Sequence, residues 1–339
     1  MTQSPASLKR RVLIINTLGG ALHHYTHELV DNLSDPGNDI TVATIFEPSQ
    51  AGGGRLGWIL RYVRIVLSAR RLAKAAPNPV VIVTWPVLGY LDFLLLVVLG
   101  RRTDVKLVVH DPLPLVTAIG YDQVSRTLAR MTLRNRQIIV HSTAALTDVQ
   151  DQGFGAIVVQ LPHPILEAAI DGPAPSDRPR VVRVLGQFKP DRDVTALEQV
   201  SASIDSAVTL EIRGRRWPQV RGWNVVEGFV PEEELQHLLS SSDAVIVPYT
   251  RFYQSGIAIR CLECGVPIVG PAGTSLEDLL GAGSPLLVQA TESGVGSGGW
   301  ASAVATGLTT TRGDIQLLVA ALRNDSRERW KACLTDDRR

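Results

Sequence analysis

Cysteine is scarce in this chain, with three residues in 339. Three thiols do not make a disulfide framework, so a reducing cytoplasm is the expected compartment. MTQSPASLKRR runs straight into a short VLIIN stretch, without the apolar segment of a signal peptide. Long hydrophobic runs are missing too. The span nearest to membrane length, Val80 to Gly100, is broken by Pro86, Gly89 and Asp92, and reads as strand, loop and helix. The net charge of +1 excludes the strongly basic balance of a nucleic-acid binder. No GxGxxG fingerprint is present, and no acidic residue clearly ends the second strand, which argues against a nicotinamide dinucleotide site. No repeat of solenoid period is evident.

What is present is an ordinary globular composition, 45% hydrophobic and 20% charged, in a length that favours two domains. Residues 1–165 hold sixteen Lys and Arg against eleven Asp and Glu, and the remainder eighteen against twenty-two, so the first half is mildly basic. Apolar runs recur at Val12–Asn16, Ile40–Ile45, Val80–Thr84, Leu107–His110, Ile138–His141 and Ile157–Leu161, with helical stretches between them. Strands apolar on both faces, alternating with helices, predict parallel α/β sheets. A Pro-, Ala- and Asp-rich segment, LEAAIDGPAPSDRP, then precedes a second alternation from Val181 onward. The expected architecture is two Rossmann-like domains whose parallel sheets face each other across a cleft. Its boundaries are 8–165 for the first domain, 166–179 for a linker, 180–325 for the second domain and 326–339 for a charged tail.

Four motifs lie where strands give way to loops. In VPYTRFYQSGIAIRCLECGVPIVG an apolar run ends at Pro248, and Ser255-Gly256 opens a helix closed by Gly265. Gln254, Ser255 and Gly256 would present free amides and the positive end of a helix to a phosphate. Gly186-Gln187-Phe188-Lys189-Pro190-Asp191-Arg192 follows the first strand of the second half. Its Lys189 and Arg192 either clamp a diphosphate or belong to a solvated polar loop. Leu18-Gly19-Gly20 either admits a ligand to the backbone or makes a tight strand-to-helix turn. His110, which ends the fourth strand, either donates to a sugar hydroxyl or leaving phosphate, or caps the strand. His23, His24 and His163 are weaker candidates. Cys261 and Cys264 form a CxxC without a second ligand pair, inside a helix, and read as buried small apolar residues. Arg61, Arg64, Ser68 and Arg71 share a face of the helix Arg55–Lys74, and Arg126, Arg130 and Arg134 make a second basic stripe. Docking to anionic lipid and a solvated sheet-covering helix are the two readings of these stripes.

Taken together these landmarks resemble the retaining glycosyltransferases of the GT-B fold, most closely glycosyltransferase family 4. The likeness covers most of the chain: the Gly19-Gly20 loop, a strand ending in His110-Asp111, VHSTAALTDVQDQGFGAIVVQLPHPI, VRVLGQFKPDRD, VEGFVPEEELQHLLSSSDAVIVPY and CGVPIVGP. There are departures from the family pattern. Phe252 and Arg260 occupy the places of paired glutamates, and Glu263, one turn on, is the nearest acid for a ribose hydroxyl. Gln187 stands where arginine is common, and Arg192-Asp193 where Lys-Gly is common, while Gln254-Ser255-Gly256 fits the "Ser-Gly" loop of some relatives.

The resemblance implies sugar transfer from a nucleotide diphosphate sugar to a glycan or lipid-linked acceptor, with retention, no cofactor and no obligatory metal. Polysaccharide or glycoconjugate biosynthesis at the inner face of an anionic membrane is the expected setting, with no nucleic-acid partner. His110, Lys189 and Arg192 are the expected catalytic residues. Gly19, Gly20, Gln254, Ser255, Gly256 and Glu263 are the expected donor contacts. The competing reading, motivated by Phe252 and Arg260, is a non-catalytic sugar-nucleotide-binding accessory protein of the same fold. An epimerase would need a carboxylate and histidine set that the sequence does not place.

Overall fold

The computed structural model describes residues 9–52, 54–76, 78–114, 118–132, 134–167, 178–289 and 297–335. The chain divides into two compact units, Met1–Pro164 with Asp325–Arg339, and Ile165–Asn324.

The first unit runs β1 (Arg10–Asn16), α1 (His23–Leu33), β2 (Asn38–Thr44), the single turn α2 (Pro48–Ala51), the long α3 (Arg55–Lys74) and β3 (Val80–Val83). It continues with α4 (Asp92–Leu96), β4 (Asp104–Val108), α5 (Gln123–Arg130), β5 (Arg136–Val140), α6 (Thr143–Val149) and β6 (Val158–Gln160). The strands pair in parallel in the order β2-β1-β3-β4-β5-β6. Val12, Ile14, Val80 and Ile82 are buried in the sheet, as the continuous apolar runs predict. The connection from β1 steps to one edge and every later connection steps the other way. Right-handed crossovers therefore put α1 on one face, and α3, α4, α5 and α6 on the opposite face.

The second unit runs β7 (Val181–Leu185), α7 (Val194–Ser203), β8 (Thr209–Gly214), β9 (Asn224–Glu227), α8 (Glu232–Ser240) and β10 (Ala244–Ile246). Then come α9 (Gly256–Glu263), β11 (Ile268–Pro271), α10 (Ser275–Leu280), β12 (Leu287–Val288), α11 (Ser297–Thr309) and α12 (Arg312–Thr335). Its strands also pair in parallel, in the order β12-β11-β10-β7-β8-β9. One apolar cluster, with Val245, Leu262 and Leu276, and a second, with Val184, Leu197 and Trp300, form its core.

The charged tail expected over 326–339 is corrected by α12. The helix continues unbroken to Thr335, and its last turns belong to the first unit. Trp330 is fully buried beside Leu29 and Leu33 of α1, and its indole N–H donates to Pro162 O at 3.0 Å. Asn32 of α1 donates to Ser326 Oγ at 2.9 Å. One buried aromatic anchors a stretch whose charges lie on its other faces. Of the expected linker 166–179, residues 168–177 lie outside the described residues.

Candidate functional site

In the second unit the chain leaves β7 toward one edge of the sheet and leaves β10 toward the other. Neighbouring strands with diverging connections open a crevice at their carboxyl ends, where α/β sheets bind ligands. Two loops meet there, 186–193 after β7 and 247–255 after β10. Asp193 N donates to Pro248 O at 2.7 Å, and Thr250 N donates to Asp191 O at 2.9 Å. Arg192 and Tyr249 pair as an isolated bridge. Gly186 turns with φ +107°, and the side of its Cα faces Ile257 Cγ1 and the Tyr249 hydroxyl, each 3.9 Å from where a Cβ would stand. Behind it Gly214 is obligatory, because a Cβ there would come within 1.8 Å of Gly186 O.

Ser255 caps α9 by accepting from Ala258 N at 3.2 Å. The amides of Gly256 and Ile257 in the first turn have no acceptor within the helix. A Cβ on Gly256 would meet no atom within 4 Å, so open space lies over this end of the helix. Gln254 is half-buried immediately before the cap. An anion placed there meets amide donors and the positive end of the helix together.

Lys189 and Arg192 share the adjoining loop but differ in state. Lys189 is exposed. Arg192 is almost covered, donates to Asp191 Oδ2 at 2.6 Å, and lies over the Tyr249 ring at 3.3 Å from its centroid. The expected pair of outward cations is therefore one exposed lysine and one arginine neutralised by its neighbour. The Nε of Arg192 and Oδ1 of Asp191 are buried without a hydrogen-bond partner, which leaves polar capacity unused at this point.

Glu263 does not join this group. It sits at the far end of α9, about 10 Å along the axis from Gly256 at 1.5 Å per residue. Its Oε1 accepts from Leu166 N at 3.1 Å and its Oε2 from Arg260 at 3.1 Å. The assignment of Glu263 to the donor contacts is accordingly not supported by geometry: its carboxylate ties the start of the unit to α9. Arg260 also bonds Glu232 at 2.8 Å and Gln236 at 2.7 Å on α8. Phe252 fills the core against Tyr249, with ring centroids 5.3 Å apart. Cys261 and Cys264 are buried, and burial pushes both thiols above their ordinary range, in keeping with an apolar packing role.

In the first unit the corresponding crevice lies between β1 and β3. Gly19 sits tightly there, where a Cβ would come within 2.7 Å of Thr44 Cγ2. The amides of Gly20 and Ala21 each donate to the Glu47 carboxylate at 3.3 Å, so this turn holds an internal anion. His110 is buried, its Nε2–H donates to Thr84 O at 2.9 Å, and its ring stacks on Trp85 at 5.2 Å. It is one of a cluster. Tyr25, His141 and His163 pack within 5.1–5.5 Å of one another by ring centroid, and Tyr25 and His141 lie 5.2 and 5.3 Å from His110. His141 Nδ1–H donates to Leu161 O at 2.8 Å, and a carbonyl can only accept, so Nε2 accepts from the Tyr25 hydroxyl at 3.0 Å. Burial pushes His163 down to about 3 and holds His141 well below its ordinary 6.5. His23 and His24 are exposed at the start of α1. Among the described residues, the group spaced to share a cation is His27, Glu28 and Asp31, outside both crevices.

Tyr249, Tyr25, Trp85 and Glu47 stand at these crevices but are not among the residues that the sequence motifs mark. Tyr249 was findable, as the third residue after a strand that ends at the carboxyl edge. Tyr25 and Glu47 act through partners distant in sequence, which no local pattern shows.

No family model matches the sequence, and no curated protein matches it. Solved structures match nearly the whole chain. The alpha,alpha-trehalose-phosphate synthase (UDP-forming) from Burkholderia vietnamiensis matches at TM-score 0.60 and 13% identity, over 97% of this chain and 99% of that one. HepE from Anabaena, in complex with UDP and glucose, matches at TM-score 0.61 and 13% identity, over 96% and 98% of the two chains. An E. coli trehalose-6-phosphate structure bound with UDP-2-fluoro glucose matches at TM-score 0.62 and 10% identity, over 97% and 98%. At such identities the likeness is one of fold. The α/β class with two parallel six-stranded sheets, as in GT-B glycosyltransferase structures, is the one expected from the sequence.

Proposed function

We propose that the chain transfers a sugar from a nucleotide diphosphate sugar to a glycan or lipid-linked acceptor. One observation carries this reading: the loop of Lys189 and Arg192 bonds to the loop that leads into the capped N-terminus of α9. Departure of a nucleotide diphosphate builds negative charge on its phosphates. Preorganised donors facing that charge lower the barrier, because they need no reorganisation as it develops. The amides of Gly256 and Ile257, with Lys189, supply such donors. Arg192 adds its guanidinium to the extent that a phosphate replaces Asp191 as its partner. In the first unit His110, fixed by Thr84 and Trp85, is assigned to positioning the donor sugar. The solved neighbours that hold UDP, or UDP with a sugar, support a nucleotide sugar as donor.

The finer features of the proposal are retention of configuration, no obligatory metal, and work at the cytoplasmic face of a membrane in polysaccharide or glycoconjugate assembly. Among the described residues no helix is long and apolar enough to cross a membrane.

A second reading, binding without turnover, is favoured by Phe252 in the core and Arg260 paired with Glu263. Thermal unfolding with UDP, GDP and ADP, followed by a panel of the matching sugar nucleotides with and without chelator, tests both. A ligand at about 100 times its Kd stabilises the fold by ~2.7 kcal/mol. A shift with one nucleotide and release of sugar from its conjugate supports transfer. A shift without turnover supports the accessory reading, and no shift with any nucleotide sinks both.

A further inference from the structure

We propose that the outer face of α3, α4 and α5 in the first unit docks the chain on an anionic lipid bilayer. This deepens the reading of a lipid-linked acceptor by naming the surface that meets the lipid, and its test involves no sugar transfer. The three helices cover the same face of the sheet, and α4 packs beside both α3 and α5.

That face is unusually apolar on its outside. Thirteen of the fifteen large exposed apolar side chains among the described residues belong to the first unit. Nine of them are Leu56, Leu60, Leu67 and, off their line, Leu72 on α3, Leu94 and Val97 at α4, and Val124, Leu128 and Met131 at α5. Leu56 is 71%, Val124 68% and Met131 79% exposed, far more than a covering helix needs to leave uncovered. At 100° per residue Leu56, Leu60, Leu67, Arg64, Arg71 and Lys74 fall within an arc of about 80°. The buried Trp58, Tyr62, Val66, Ala69 and Ala73 take the opposite side of α3. On α5, Val124, Leu128 and Met131 form one outward stripe, with Ser125 and Ala129 buried opposite.

Charge chooses the occupant. Residues 55–74 contain six Arg and Lys and no Asp or Glu, and Arg55, Arg64, Arg70, Arg71 and Lys74 are exposed. A protein partner fits poorly, because the buried centre of a protein interface is depleted in charge and enriched in aromatic residues. Here cations interleave with leucines, and Trp58 and Tyr62 of α3 are turned inward. Leucine inserted at the headgroup level, with arginine and lysine beside the lipid phosphates, is how an interfacial helix binds an anionic membrane.

The test is cosedimentation of the full chain with vesicles of phosphatidylcholine alone, and of phosphatidylcholine with phosphatidylglycerol, at low and high salt. Binding is expected to the anionic vesicles and to weaken as salt rises. Each basic residue at the surface contributes about fivefold in partitioning, so Arg64→Gln with Arg71→Gln should lower it roughly 25-fold. Leu60→Ser and Met131→Ser should each weaken it further, while Arg221→Gln in the second unit leaves it unchanged. Circular dichroism of each variant checks the fold. Equal partitioning to both vesicles, indifference of folded variants to the arginine changes, or no partitioning at all would overturn the proposal. The last of these outcomes would assign the face to a macromolecular partner.

Discussion

Arg192 lays its guanidinium over the ring of Tyr249, 3.3 Å from the centroid, and so fastens the loop after β7 to the loop after β10. The contact joins the loops that follow the two strands whose connections diverge, one carrying Lys189 and the other leading into α9. A desolvated cation–π contact is worth about 2 kcal/mol. Tyr249→Leu should therefore loosen both loops and raise KM for the nucleotide donor several-fold, whereas Tyr249→Phe keeps the ring and should stay near wild type. Steady-state kinetics with the donor selected by the sugar-nucleotide panel decide it. Equal behaviour of the two variants would remove the stack from the binding site.

Lys189 is the exposed cation of the pair, and the role proposed for it is charge stabilisation as the diphosphate departs. Losing one preorganised donor to developing charge costs ~3 kcal/mol of barrier, or about two orders of magnitude in kcat. Lys189→Ala should show that loss with an unchanged melting temperature. Turnover at the wild-type rate in the variant would refute the clamp.

Gly256 offers a test in which stability and binding move apart. Nothing lies within 4 Å of a Cβ at this position, so a side chain fits. An acidic residue in the first turn of a helix stabilises it by about 0.3–1 kcal/mol. Gly256→Glu should thus melt no lower than wild type while its carboxylate competes for the amides offered to phosphate. Calorimetric titration with the nucleotide diphosphate should show at least tenfold weaker binding. Undiminished affinity would place the phosphate elsewhere.

Much of the fold was legible in the sequence because a parallel sheet buried on both faces needs continuous apolar strands, and those runs stand out. Val12–Asn16 and Val80–Thr84 differ from β1 and β3 only at their ends. The cap at Ser255 was equally legible, since serine followed by glycine after an apolar strand is a local signal. Other features were decided at long range. Trp330 turns a charged C-terminal stretch into the end of a 24-residue helix, which composition alone does not show. Arg192 reads as an outward cation in the sequence because the Tyr249 ring that covers it comes from a distant loop. Glu263 is a donor contact only by resemblance, as the acid nearest the places of the paired glutamates, whereas Leu166 N and Arg260 determine where its carboxylate goes.

The histidine cluster of the first unit makes the fold sensitive to acid. His163 is held down to about 3 and His141 well below 6.5, mainly by burial, and the protonated neighbours each would face lower them further. Both recover their ordinary value of about 6.5 when the chain unfolds. Below that pH the unfolded chain binds more protons than the folded one, so stability falls as pH drops from about 6.5 toward 3. Asp92 acts in the opposite sense. Burial raises its carboxyl from 3.8 to about 7, against the pull of the Val87 and Leu88 amides, so the folded state holds the extra proton. Its contribution declines as pH rises from about 4 to 7. With two histidines against one carboxyl, stability should climb between pH 4.5 and 6.5. Urea unfolding across that range should show His163→Gln with a shallower climb than wild type, and Asp92→Asn with a steeper one. A His163→Gln curve parallel to wild type would mean that the imidazole takes up its proton in the folded chain as readily as in the unfolded one.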